Sequence, residues 1–143
     1  SAEERNRYYS AVASALDPAL ARETLAIALT DELSTDLARR LISWVASQGE
    51  QTEIALVFVK ENFEALAAKH GSTFRNNFVA NLMSNFSDYA RADELKNFAP
   101  AYETSGGRTV AERVREGIIA DADFVAQQVP AIDEWVRRRA AVP

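Results

Sequence analysis

An all-α fold is predicted for this chain of 143 residues, with about eight antiparallel helices paired as helical hairpins in a HEAT- or armadillo-like α-solenoid segment. Three observations lead there. Apolar residues recur at three- and four-residue spacing in nearly every segment, and sustained strict alternation of the strand kind is hard to find. Turn and cap residues pair the helices into hairpins starting near residues 3, 35, 72 and 107. That period of roughly 35 residues falls in the range of helical-repeat proteins, although the units are not visibly alike. Short connections make consecutive helices antiparallel neighbours. A compact all-α bundle is the alternative built from the same elements.

The first helix is expected from about Glu3 to Leu16, with Tyr8, Val12 and Leu16 on one side. Asp17 then caps a second helix with Pro18 at its first position, where a missing N–H costs nothing; it carries Leu20, Ile27 and Leu29 and ends near Thr30. Ser34 or Thr35 opens a third, whose stripe is Leu37, Leu41, Trp44 and Val45, and Gly49 stops it. Thr52 caps a fourth that reaches about His70 before Gly71. On its wheel Ala55, Phe58, Val59, Phe63 and Leu66 share a face opposite Lys60, Glu61 and Glu64. Val57 falls off that stripe, so contact with neighbours on two sides is expected. Ser72 caps a fifth helix through about Phe86, and Ser87 or Asp88 opens a sixth that Pro100 closes. A loop, YETSGG, follows. The seventh runs from about Arg108 to Gln127 through Val110, Val114, Ile118 and Val125, and Pro130 begins a last helix with Ile132, Trp135 and Val136.

Length and composition fit one domain, residues 1–143, able to bury a real core. Apolar residues at 48% and charged residues at 26% are ordinary for a soluble globular protein. No apolar run approaches the ~20 residues that cross a bilayer, and no signal-peptide pattern opens the chain. Met83 is the only methionine, so a processed form or an excised piece of a longer protein is expected. The absence of cysteine excludes disulfides and thiolate metal sites while leaving cytoplasm and periplasm both open. Sixteen basic against twenty-one acidic residues disfavour nucleic acid as a partner, since that binding draws on basic surface.

Few residues could carry chemistry. His70 is the only histidine, placed at a helix C-terminus where capping or solvent exposure is the expected role. Alone it cannot anchor a His-based zinc site. No HExxH, GxSxG, GxGxxG or phosphate-loop motif occurs. Asp121 and Asp123 point some 200° apart on a helix and read as a solvated face. Arg39-Arg40 and the run Arg137 to Arg139 read as helix-end or solubilising charges, and Gly106-Gly107 as a flexible loop. No catalytic, cofactor-binding or metal residue is therefore assigned. One feature resists such readings. Asn77, Asn81 and Asn85 recur at i, i+4, i+8 beside Phe74 and Phe78, although Asn is a mediocre helix former. Either these amides bond to neighbouring helices at the edge of the core, or they form a polar strip that bonds peptide backbone, with Arg75 supplying charge for a peptide carboxylate.

The segment LVFVKENFEAL resembles a (W/L)xFxKxNWxxL helix near the C-terminus of the puromycin-sensitive and endoplasmic-reticulum aminopeptidases, with Leu56 and Phe63 where that family often has Trp. SNFSDYARADELKNF is similar to the following segment, departing from it at Phe98-Ala99, and RTVAERVREGIIADADFVAQQVPAIDEWV to the closing helices. LDPALARETLAIALTDELSTDLARRLISWVASQG resembles the helices before them, so the likeness spans almost the whole chain.

This resemblance implies a multidomain zinc aminopeptidase of bacterial type as parent, with HExxH and a later Glu holding zinc in an upstream catalytic domain. None of those motifs lies in these residues, so the chain is expected to be non-catalytic, with no cofactor of its own. The family's C-terminal helical domain closes over the catalytic domain, encloses a peptide chamber and controls substrate access. Peptides and the upstream domain are the partners so implied; no membrane or nucleic-acid partner is expected. A solenoid segment also exposes an apolar end that would normally stack on the preceding repeat, which opens the isolated piece to homodimerisation. The alternative from another class is a free-standing helical-repeat interaction module. An independent enzyme lacks any candidate constellation.

Overall fold

The computed structural model describes residues 1–142 and is all α-helical among them. Eight α-helices follow one another: α1 (Ala2–Ala13), α2 (Pro18–Ile27), α3 (Thr35–Ser47), α4 (Thr52–Glu61), α5 (Phe63–His70), α6 (Val79–Met83), α7 (Tyr89–Asn97) and α8 (Ser105–Ala140). A π-helical turn, Phe74–Phe78, leads into α6, and a 3₁₀ turn, Ala99–Tyr102, follows α7. Successive helices pack on one another, as α2 on α3, α3 on α4 and α7 on α8, and several meet the next but one, as α1 on α3, α2 on α4 and α4 on α6, as a helical-repeat stack requires. No helix of the described residues is long and apolar enough to cross a membrane.

Local chemistry sets most boundaries. Ser1 and Glu4 form a capping box at α1. The Asp17 carboxylate accepts from the N–H groups of Ala19 and Leu20 at 2.7 and 3.1 Å, with Pro18 at the first helical position. The Ser34 hydroxyl accepts from Leu37 N–H, and Asp88 from Arg91 N–H at 3.0 Å. Gly71 ends α5 at φ 74°, a left-handed conformation costly for any residue with a Cβ.

One contiguous core joins α1 to the first half of α8. Leu25, Leu41, Ile42, Leu56, Leu66, Phe74, Met83, Leu95 and Ile118 are its largest fully buried members. In α1 the buried residues are Tyr9 and Ala13, while Tyr8, Leu16 and Leu20 are left exposed; Val12, Ala15, Leu20 and Ile27 line an open, largely apolar hollow between α1 and α2. Val57 is likewise exposed, and the second contact side of α4 is supplied by Leu56 instead.

Thr52 and Ser72 are not caps: Gln51 stands at the N-cap of α4 without a side-chain bond, and the helix over 72–83 opens with no side-chain cap. Three elements differ more widely from the sequence expectation. The fourth helix bends at Asn62 (φ −111°, ψ 17°), because its side-chain amide donates to the Phe58 carbonyl at 2.8 Å, the same carbonyl its backbone N–H uses. Gly106 and Gly107 are not loop but the first turn of α8, whose cap Thr104 accepts from Gly107 N–H at 3.0 Å. A Cβ on Gly107 would lie 2.7 Å from the Ala101 carbonyl oxygen, so glycine is what lets α8 start this close to the 3₁₀ turn. Finally, Pro130 does not begin a new helix. It sits inside α8, and the expected fourth hairpin is one continuous rod.

Candidate functional site

Phe63, Phe74, Phe78 and Phe98 form an aromatic ladder that anchors the start of the helix over 72–83. Phe98 meets Phe63 edge-on at 6.1 Å, Phe63 lies 5.6 Å from Phe74, and Phe74 stacks on Phe78 at 4.8 Å and 17°. Val79, Ala80, Leu82 and Met83 take the buried side of this helix, and Phe78 with the asparagines borders a hollow shared with α3. The wide π turn also swings Asn76 toward the loop, where its Oδ1 accepts from the Thr104 hydroxyl at 2.9 Å.

Between α3 and the 72–83 helix runs a groove made of two adjoining hollows of about 400 and 320 Å³. Asn77, Asn81 and Asn85 line one wall, with Phe78 among them. Asp36, Arg39, Arg40, Ser43, Trp44 and Ser47 line the other. Asn77 is half-buried, while Asn81 and Asn85 are exposed. Among the described residues the side-chain amides of Asn77 and Asn81 have no hydrogen-bond partner; that of Asn85 donates to Leu82 C=O in its own segment, 2.9 Å away. Interhelical amide pairing is found at Asn76, not in this row.

Arg75 stands apart from the groove. Its guanidinium pairs with Glu64 of α5 at 2.7 Å and lies over the Phe63 ring at 5.7 Å. The cations facing the row are Arg39, which pairs with Asp36, and Arg40, which has no carboxylate partner among the described residues. The sequence alone reads Arg39-Arg40 as helix-end or solubilising charges. The structure puts them in the second turn of α3, not at its end, and their signal was the polar face of a strongly amphipathic helix: Asp36, Arg39, Arg40, Ser43 and Ser47 fall together.

His70 is neither a cap nor exposed. It is buried, stacked at 5.5 Å on Phe74, and neither ring nitrogen has a protein partner. Burial first, then the charges of Arg39 and Lys69, hold its pKa below the ordinary 6.5. The sign was legible: 63, 66, 67, 70 and 74 continue the apolar stripe. These residues do not fit a zinc ion, since the one imidazole faces cations and, among the described residues, no three His, Cys, Asp or Glu side chains converge. Elsewhere the largest cross-helix charge cluster ties α4 to α7: Lys60 and Arg91 both bond Glu94, and Arg91 also bonds Glu53.

A family model described as the ERAP1-like C-terminal domain matches residues 1–120. Aminopeptidase M1 of Arabidopsis thaliana is 27% identical over 125 residues, which are 86% of this chain and 14% of that protein. The chain thus spans about a seventh of the relative it matches.

Proposed function

The chain belongs to the family of ERAP1-like C-terminal domains, and from that membership we propose that it is the non-catalytic closing wall of a peptide chamber in a larger zinc aminopeptidase. Its zinc and its bond-cleaving residues belong to an upstream domain. On this reading the open apolar hollow of Val12, Leu20 and Ile27 between α1 and α2 receives the preceding helices of that polypeptide.

The observation that supports peptide contact is the unpaired amide row. An Asn side chain both donates and accepts, as a peptide unit does. Residues four apart on a helix advance about 6 Å, close to the roughly 6.7 Å of two residues in an extended chain. Asn77, Asn81 and Asn85 can therefore address every second peptide unit of an extended segment lying in the groove. Arg40 stands on the opposite wall as the cation for a carboxylate, the part sequence reasoning gave to Arg75. A groove of this kind gains affinity because α3 and the aromatic ladder already hold its walls.

The test is kinetic, in a polypeptide holding both this domain and its HExxH domain. Replacing Asn77, Asn81 and Asn85 with alanine raises KM for peptides long enough to reach the groove and leaves single aminoacyl amides unchanged. Equal KM on long peptides for both proteins removes the groove from the mechanism. A reading frame without HExxH upstream favours the free-standing interaction module instead.

A further inference from the structure

Helix α8 outlasts the body it packs on. Ala111, Val114, Ile118 and Ala122 are buried against α6, α7 and the 3₁₀ turn. The same stripe continues without a break in spacing through Val125, Val129, Ile132 and Val136, with Phe124 and Trp135 along one edge. There nothing covers it: these six are between 41% and 61% exposed, and every described residue from Asp123 onward is exposed. This projection lies beyond residues 1–120 that match the family. It also carries Pro130 in its interior, where a backbone hydrogen bond is lost. An unpacked helix gains little stability of its own, so a rod with an internal proline and a bare apolar face calls for a partner.

We propose that the partner is a second copy of this chain, its projection antiparallel to the first about a two-fold axis near residues 130–131. The pattern is its own reverse. Spacings of four, three and four from Val125 to Val136 read alike in both directions, so Val125 opposes Val136 and Val129 opposes Ile132 across the seam. Such self-complementarity is what an isologous contact demands. The charges agree. Asp121 marks the base and Arg137 to Arg139 the tip. Asp121 and Arg139 stand 18 residues apart, about five whole turns, and so share one edge of the stripe. A two-fold axis across the rods brings like edges together, which sets Asp121 of each copy against Arg139 of the other at both ends. A parallel pair would stack the arginine runs instead. Pro130 lies about 130° round the helix from the stripe, leaving the seam clear. The paired length of roughly 27 Å is small for an interface, so association is concentration-dependent.

Sedimentation equilibrium of the whole chain across a wide concentration range tests this. The mass is expected to rise from monomer to dimer. D121R and R139D each place like charges at both ends and weaken association by on the order of tenfold or more. An equimolar mixture of the two restores it, because each then meets only its complement. Circular dichroism of each variant matches the parent's, since both sites lie on exposed surface. A monomer at every concentration, a higher oligomer, a dimer indifferent to either reversal, or a mixture no tighter than the single variants overturns the proposal.

Discussion

The imidazole of His70 lies stacked on the ring of Phe74, 5.5 Å between centroids and 23° between planes, with both nitrogens buried and unbonded. A neutral ring there behaves as an aromatic spacer between α5 and the π turn. The unfolded chain binds a proton near pH 6.5, while the folded chain resists it because its pKa is lowered. Stability is therefore constant above that pH and declines as pH falls through 6.5 toward the lower folded value, where the slope ends. His70→Leu removes this decline and, by relieving an unsatisfied buried polar group, adds about 1 kcal/mol at pH 7. Denaturant melts of both proteins between pH 5 and 8 check it; parallel profiles would refute it.

Gly107 tests the close start of α8. Its Cβ position is 2.7 Å from Ala101 O and 3.1 Å from Asn76 O, both backbone atoms that cannot swing away. Gly107→Ala should cost about 1–3 kcal/mol even though alanine is the better helix former. Gly106→Ala, with open space at the same place, should be neutral or stabilising. Thermal melts of the pair give the contrast, and equal effects would contradict the packing argument.

The Lys60–Glu94–Arg91 cluster joins α4 to α7 with side chains about a third exposed or less. Burial alone would raise the Glu94 carboxyl, but the two cations outweigh it and leave the pKa lowered from 4.5. A Lys60→Ala, Glu94→Ala double-mutant cycle should give a coupling of about 0.5–1 kcal/mol at neutral pH and low salt. The coupling is present above pH 4.5 and is lost as pH falls through the folded value. A coupling unchanged by acid would mean the contact is not ionic.

Most structural choices made by near neighbours were legible in the sequence, the expected caps Thr52 and Ser72 apart. The caps Asp17, Ser34 and Asp88, the stop at Gly71 and the stripes of α3 and α4 all act within a turn or two. Where a rule met a longer-range pattern, the rule misled. Pro130 suggests a boundary, yet AQQVPAIDE offers no glycine or asparagine to make a turn, and the apolar spacing runs straight across it. Asn62 sits in a strong helical stripe, and only its side-chain bond to Phe58 reveals the bend. The asparagine row was visible because it broke composition expectations on one face. Its groove partner Arg40 was not, because the placing of the polar side of α3 across from the 72–83 helix is a tertiary matter.

Whether the asparagine row holds peptide without cleaving it is read by titrating the isotope-labelled chain with an extended peptide, followed by NMR while peptide cleavage is assayed in the same tube. Saturable shifts are expected at Asn77, Asn81, Asn85 and Arg40, with the peptide intact whether or not zinc is added. Zinc-dependent cleavage by the pure chain, or binding shifts confined to other surfaces, would contradict this.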